Sequence, residues 1–318
     1  MILLWGTPSD GPLSAVRQVL TMTGAHVVFV DQSESLSMRH TDRGLITSGG
    51  LVDLQAVTAA YLRPEDLGAL AHLSPGEASH VSGLTAALVG WAEVTPAVVV
   101  HRPSVVGENG SKPYQLALIE RLSDFAVPRT LLTTSPQAAA AFVLEHGRVV
   151  CKSISARRSA VRRLDAADVA RIDAVRWAPT QLQAYVPGVD WRVHVVGGGV
   201  RHACRIESAA DDYRFDPRTR LVEARLPDDV GAGCVDLVHG LGLLVAGVDL
   251  RVDLDGRWYC FEVNPSPAFT YFERGPGHPV AEAIATLLLS SRPAAVGPVV
   301  TWHRRSGRSP VPMRAQTR

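Results

Sequence analysis

Short apolar runs separated by amphipathic stretches dominate the first hundred residues. Met1–Trp5 is wholly apolar and reads as a buried strand, and His26–Val30 is a second such run that ends in Asp31. Between them Ser14–Thr23 carries Val16, Val19 and Leu20 at helical spacing. Strand, helix, strand predicts a parallel α/β unit. Residues 32–56 are polar and broken, with short strands expected around a Gly49-Gly50 turn. Val57–Leu62 predicts a further strand that runs directly into Arg63-Pro64. An arginine there either grips an anionic substrate or stands in solvent. Ser74–Val94 predicts a long helix, Ala97–Val100 a strand, and His101-Arg102-Pro103 closes the lobe. The Gly6–Gly11 loop lies where parallel sheets take ligands, but it lacks the G-x-G-x-x-G spacing of a dinucleotide loop.

After a Gly- and Asn-containing linker at 104–111, the pattern shifts to short strands and hairpins. Lys112–Leu122 is helical, Thr130–Thr133 a short strand, and Ser135 can cap a helix over Pro136–Glu145. Arg148–Ile154 is a strand holding Lys152, with a turn at Ser155–Ser159. Strands follow at Gln181–Val186, Asp190–Val196 and Val200–Ile206, the last two joined by Gly197-Gly198-Gly199. Residues 207–222 interleave Asp211, Asp212, Arg214, Asp216 and Arg218 and read as a loop. Asp228–Leu243 is a helix. It leads into two apolar arms, Ala246–Leu250 and Trp258–Val263, around the turn Asp253-Leu254-Asp255-Gly256, a strong hairpin signal. Pro279–Ser290 is the last helix. The tail from Arg292 mixes prolines with His303, Arg304, Arg305, Arg308, Arg314 and Arg318, which predicts a disordered basic end.

Composition narrows the class without naming a function. The chain has 318 residues, 46% hydrophobic and 20% charged, enough for two or three lobes with real cores. A net charge of +1 offers no overall field for nucleic acid. Cys151, Cys204, Cys234 and Cys260 sit among apolar residues with no metal spacing, so buried thiols in a reducing cytoplasm are expected. No run reaches membrane-spanning length, and the apolar start lacks the basic region of a signal peptide.

The candidate chemistry collects on the hairpin. Glu262 and Asn264 are two apart on one arm and share a face, and folding the arms together brings Asp249 opposite them. Three hard oxygen donors on a buried apolar frame suit Mg²⁺. Lys152, a lone cation in an apolar strand, needs an anion, and phosphate is the natural one. Lys112 opens a helix after the linker; alone it is an ordinary solvated residue. Gln183–Asp190, QAYVPGVD, offers strand backbone for an adenine edge and a carboxylate for ribose, while Arg192 and Arg205 add cations on the paired strands.

In this order and at these separations, Lys112, Lys152, the Gln183–Asp190 hinge, Asp249 and Glu262-x-Asn264 resemble the ATP-grasp superfamily over about residues 104–290. Within it the chain looks most like RimK-type ligases and, closer still, the peptide-macrocyclising enzymes of graspetide (microviridin-type) biosynthesis. The narrower likeness rests on Tyr61-Leu62-Arg63-Pro64, on DWRVHVVGGGV at 190–200, on Asp212-Tyr213-Arg214 and on NPSPAFTYFE at 264–273. Leu62 stands where that family often has an arginine.

The resemblance implies a mixed α/β and α+β architecture. An N-terminal lobe (1–103) precedes two α+β lobes (104–186 and 187–291) that enclose ATP, and a tail (292–318) follows. It implies that Lys112 and Lys152 hold the phosphates, Gln183 and Val186 the adenine, and Asp190 the ribose. Asp249, Glu262 and Asn264 would hold two Mg²⁺ ions, with Arg192 and Arg205 facing the transferring phosphoryl group. Arg63, Asp212 and Arg214 are candidate substrate contacts; the loop holding the last two is open between contact and solvation. The implied activity joins a carboxylate to an amine or alcohol through an acyl phosphate. The expected partner is a peptide, such as an acidic ribosomal precursor, or an amino acid, and family members often dimerise. A small-molecule amino-acid ligase and a non-catalytic ATP-binding protein are the rival readings.

Overall fold

The computed structural model describes residues 1–65, 73–107, 111–153, 161–208, 210, 213–273 and 277–290. The tail, the turn at Ser155–Ser159 and Asp212 lie outside the described residues.

The N-terminal lobe follows the apolar pattern closely. Its elements are β1 (Ile2–Gly6), α1 (Gly11–Met22), β2 (Val27–Asp31), β3 (Arg39–His40), β4 (Gly44–Thr47), β5 (Gly50–Asp53), β6 (Ala59–Arg63), α2 (Pro75–Val94) and β7 (Val98–Val100). A parallel sheet runs β2-β1-β6-β7, with β3-β4-β5 as a separate small antiparallel sheet. Central β1 is buried on both faces, which is why it reads as an unbroken apolar run. Leu4 packs with Leu13, Val16 and Leu20 of α1 on one face, and Leu3 and Trp5 pack with Leu84 and Leu88 of α2 on the other.

The middle of the chain holds α3 (Pro103–Val106), α4 (Lys112–Leu122), β8 (Thr130–Thr133), α5 (Pro136–His146), β9 (Val149–Ser153), β10 (Val161–Leu164) and β11 (Thr180–Ala184). The four strands form an antiparallel sheet in the order β10-β9-β11-β8. It is backed by α5 and a 3-10 segment, Ala166–Trp177, through Ala139, Val143, Ile172, Val175 and Leu182. In this 3-10 segment Asp168, Arg171, Asp173 and Arg176 interrupt an otherwise apolar run, and in β10 two arginines part Val161 from Leu164, so neither shows a clean period. The short α3 occupies part of the stretch expected to be linker.

The fourth sheet contains β12 (Gly188–Val196), β13 (Gly199–Glu207), β14 (Arg220–Glu223), β15 (Val245–Asp253) and β16 (Trp258–Asn264), ordered β14-β13-β12-β15-β16 and antiparallel throughout. The helix α6 (Asp228–Gly240) and the last helix, α7 (Pro279–Ser290), complete the chain. Strand β14 lies inside the 207–222 stretch expected to be loop; four residues are too few for an alternation to stand out. Gly197 and Gly198, at φ 56° and 80°, make the tight β12–β13 turn that only left-handed residues allow.

Packing redistributes two helices. Leu116 and Ile119 of α4 share a core with Leu237 and Val238 of α6 and Val248 of β15, so α4 packs on the five-stranded sheet and not on the four-stranded one. Val280, Ile284 and Leu288 of α7 pack with Leu4 and Val16 of the N-terminal lobe. Among the described residues, no helix is long and apolar enough to cross a membrane.

Candidate functional site

The open faces of the four- and five-stranded sheets meet at a cleft of about 690 Å³. One wall is the hairpin. The register sets Asp249 opposite Glu262 and Gly247 opposite Asn264, and a bulge follows, so that Leu250 pairs with Cys260. The extra residue, Phe261, breaks the alternation, and both Phe261 and Glu262 turn to the cleft while Cys260 stays in the core. Gln115 of α4 secures the outer edge of β16. Its Nε2 donates to Val263 O at 2.8 Å, and Val263 N donates to its Oε1 at 3.0 Å.

Arg192 reaches in from β12 and donates through Nη1 to Asp249 Oδ1 at 2.7 Å. Its guanidinium stands over the Phe272 ring at 5.2 Å, and a Cβ on Gly247 would collide with it, so Gly247 makes its room. Lys152 of β9 faces this wall. Its Nζ donates to Gln183 Oε1 at 3.0 Å and lies 5.4 Å from the Phe261 ring centre. Burial, and then the nearby Lys112 ammonium, push the Lys152 pKa down to about 8, against the pull of Glu262 and Asp249.

Among the described residues, six basic side chains line the cleft (Lys112, Lys152, Arg163, Arg192, Arg214 and Arg251) against three carboxylates (Asp190, Asp249 and Glu262). This excess suits a polyanion. Conversely, Asp249 and Glu262 are like charges directly across a strand pair, a costly arrangement unless a cation intervenes. Arg192 covers one oxygen of Asp249. The remaining oxygens, with the Asn264 amide beside them, form a hard-donor set that fits Mg²⁺. Among the described residues no three His, Cys, Asp or Glu side chains cluster as a metal site, so Asn264 and bound phosphate would complete the shell.

Solved structures share this architecture. The ATP-grasp ligase PsnB, complexed with a minimal precursor, matches at 26% identity and TM-score 0.76, over 91% of this chain and 98% of that one. The macrocyclase MdnC from Microcystis aeruginosa MRC, bound with its precursor peptide MdnA, matches at 18% identity and TM-score 0.79, over 91% and 99%. A RiPP-associated ATP-grasp ligase of Chryseobacterium gregarium, with ADP and a leader and core peptide, matches at 21% identity and TM-score 0.75, over 91% and 96%. The chain has the ATP-grasp fold. No family model and no curated protein matches it.

Within this ATP-grasp cleft the structure gathers most of the expected residues. Lys112, Lys152, Gln183, Asp190, Arg192, Arg214, Asp249, Glu262 and Asn264 all line it. Arg205 does not. Its neighbours Cys204 and Ile206 pack with Phe272 beneath the cleft, so alternation turns Arg205 out of the opposite face, where it lies 3.4 Å from Glu207. Arg63 also stays outside. Its Nε donates to Asp10 Oδ1 at 2.8 Å, and its Nη1 to Ser266 Oγ at 2.8 Å and Pro267 O at 3.3 Å, in a buried tie between lobes. Val186 is at the hinge, but its carbonyl accepts from Arg251 Nη1 at 2.7 Å.

Sequence reasoning missed Arg251, Tyr213 and Phe261. Arg251 was findable, since it lies two residues beyond Asp249 and must share its face. Tyr213 is half-buried beside Asp249 and Arg192; that burial, then the Asp249 charge, holds its phenol well above the usual range. A second hollow of about 590 Å³, between β13 and α6, contains none of the expected residues.

Proposed function

We propose that this protein is an ATP-dependent ligase that forms amide or ester bonds on a ribosomally made precursor peptide, at Asp or Glu side chains. The observation that carries this reading is the opposition of two lysines to two facing carboxylates across one cleft. PsnB, MdnC and the Chryseobacterium ligase, which share the fold, are each complexed with precursor peptides, and PsnB is also complexed with Mg and ADP.

The chain's own residues divide the work. Lys112 and Lys152 hold the phosphates, and Asp249, Glu262 and Asn264 hold Mg²⁺. Val150, Tyr185 and Phe261, which line the same cleft, give the base its apolar contacts. Arg192 is aimed by Asp249 and Phe272, so it meets developing phosphoryl charge without reorganising. Arg214, on the rim, faces the carboxylate of the substrate. When bound, Mg·ATP supplies an electrophilic terminal phosphoryl group: a substrate carboxylate takes it as ADP leaves, and an amine or hydroxyl then displaces phosphate from the acyl group. The free cysteines, three of them buried, fit a reducing cytoplasm.

The test combines the protein with ATP, Mg²⁺ and a precursor peptide rich in Thr, Ser, Asp and Glu encoded beside its gene. Each new bond removes one water from the peptide mass and releases one ADP and one phosphate. ADP released with free amino acids, and no change in any peptide, would replace this reading with that of a small-molecule ligase.

A further inference from the structure

The hinge between the two cleft walls is tied around one side chain. Arg251 Nε and Nη2 donate to Asp190 Oδ1 and Oδ2 at 2.6 and 2.7 Å, and Nη1 donates to Val186 O at 2.7 Å. The guanidinium stands 5.5 Å from the ring centres of both Tyr185 and Phe261. Gly188, between the two acceptors, has φ 158°, and a Cβ there would collide with Val252 O. This backbone therefore presses directly on β15, one residue from Arg251.

Asp190 and Val186 are the two hinge acceptors that the family resemblance gives to ribose and adenine. Both are taken by the chain's own arginine. A carboxylate that accepts both arms of a guanidinium fork has its best-aligned lone pairs filled. Handing it to a sugar hydroxyl would exchange two charge-assisted bonds for a weaker one and leave a mostly buried guanidinium short of partners.

We propose that Asp190 and Arg251 act as one positioning unit that locks the hinge, and that Asp190 does not read the ribose hydroxyls. The unit joins β12 to β15 and grips the end of the segment leaving β11. It thereby sets the separation between Lys152 and the Asp249–Glu262 pair. The inference rests on the nucleotide-binding reading of the cleft.

Calorimetric titration of Mg·ADP and of Mg·2′,3′-dideoxy-ADP tests it, on the wild type, Asp190→Asn, Arg251→Met, Arg251→Lys and the Asp190→Asn/Arg251→Met double variant. Thermal melting of each variant checks the fold. Each single substitution weakens both nucleotides by the same factor, about tenfold, and the double variant is no weaker than the weaker single. Arg251→Lys recovers little, because an ammonium cannot bridge both carboxylate oxygens and a carbonyl at once. A loss in Asp190→Asn that disappears with the dideoxy nucleotide would overturn the proposal. So would single costs that multiply in the double variant, or variants that melt lower yet keep both affinities. Should Arg251→Met not fold, Asp190→Asn decides alone, by its response to the missing hydroxyls. A wild-type protein that binds neither nucleotide would sink the nucleotide reading itself, a different outcome.

Discussion

Two buried arginines, Arg63 and Arg192, look alike in isolation. Each is paired with an aspartate, at 2.8 and 2.7 Å, and their side chains are 8% and 5% exposed. Their settings differ. Arg63 stands at the carboxyl edge of the parallel sheet, where such sheets commonly bind ligands. Here that edge is filled by the chain's own 264–272 segment. Arg63 bonds Ser266 and Pro267, a Cβ on Gly11 would meet Thr270, and His101 Nε2 accepts from Leu244 N and Val245 N. Arg63 Nε and Nη1 both have partners within the chain. Around Arg192 like charges gather instead: among the described residues Lys112 and Lys152 line one cleft, and the carboxylates of Asp249 and Glu262 lie directly across a strand pair. Saturated charge marks a structural tie, whereas unsaturated charge of both signs marks a place for ligands. The N-terminal lobe is thus a clamp on the loop that leaves the hairpin.

The sharpest way to break that distinction is to neutralise the cleft. Lys152→Met or Glu262→Gln should lower peptide ligation by about a hundredfold to a thousandfold while melting near the wild-type temperature. Normal ADP release by either would show that the opposed charges do not serve turnover. Arg63→Met should do the reverse. It strands Asp10 in a buried site and costs about 3 kcal/mol in urea unfolding, with the KM for peptide unchanged in the folded fraction. A raised KM without lost stability would return Arg63 to the substrate site.

A smaller effect reports on Lys152 itself. Its pKa lies near 8 in the folded chain, below the ordinary 10.5, so between those values the unfolded chain holds the extra proton. This group therefore adds stability as pH rises from about 8 to 10.5, and its penalty is fully present below 8. Nucleotide binding has the opposite trend and should weaken as pH rises through about 8, where the free protein loses this ammonium. Titrations of Mg·ADP from pH 6.5 to 9 check the sign, and Lys152→Met should flatten the profile. Smallest of all, Arg205→Ala should change turnover by less than about twofold, since an exposed pair with Glu207 contributes little. A large loss there would mean that the outward face of β13 takes part in the chemistry.

Much of this was legible in the residues alone. Apolar runs placed nearly every long strand and helix, because each must bury a face whatever its neighbours do. The spacing of Asp249, Glu262 and Asn264 put them on one wall, because strand side chains alternate. Strand β14 and the 3-10 segment 166–177 were hidden for the opposite reason: they are held by long-range packing, and the first is too short, the second too often broken by charges, to show a period. Arg205 misled because its pairing partner decides which face it takes, and that register is tertiary.

The order of charged and apolar positions alone determined most of the strands, the hairpin wall and the lysine set against it. Only the folded chain decided which arginines reach the cleft, that a bulge turns Phe261 inward beside Glu262, that α7 closes the N-terminal lobe, and that Arg251 takes the hinge acceptors. The physical reason is one of range. Alternation and burial act between neighbours in sequence, whereas register, bulges and ion-pair partners are set only where separate strands come to lie side by side, as Asp190 and Arg251 do from 61 positions apart.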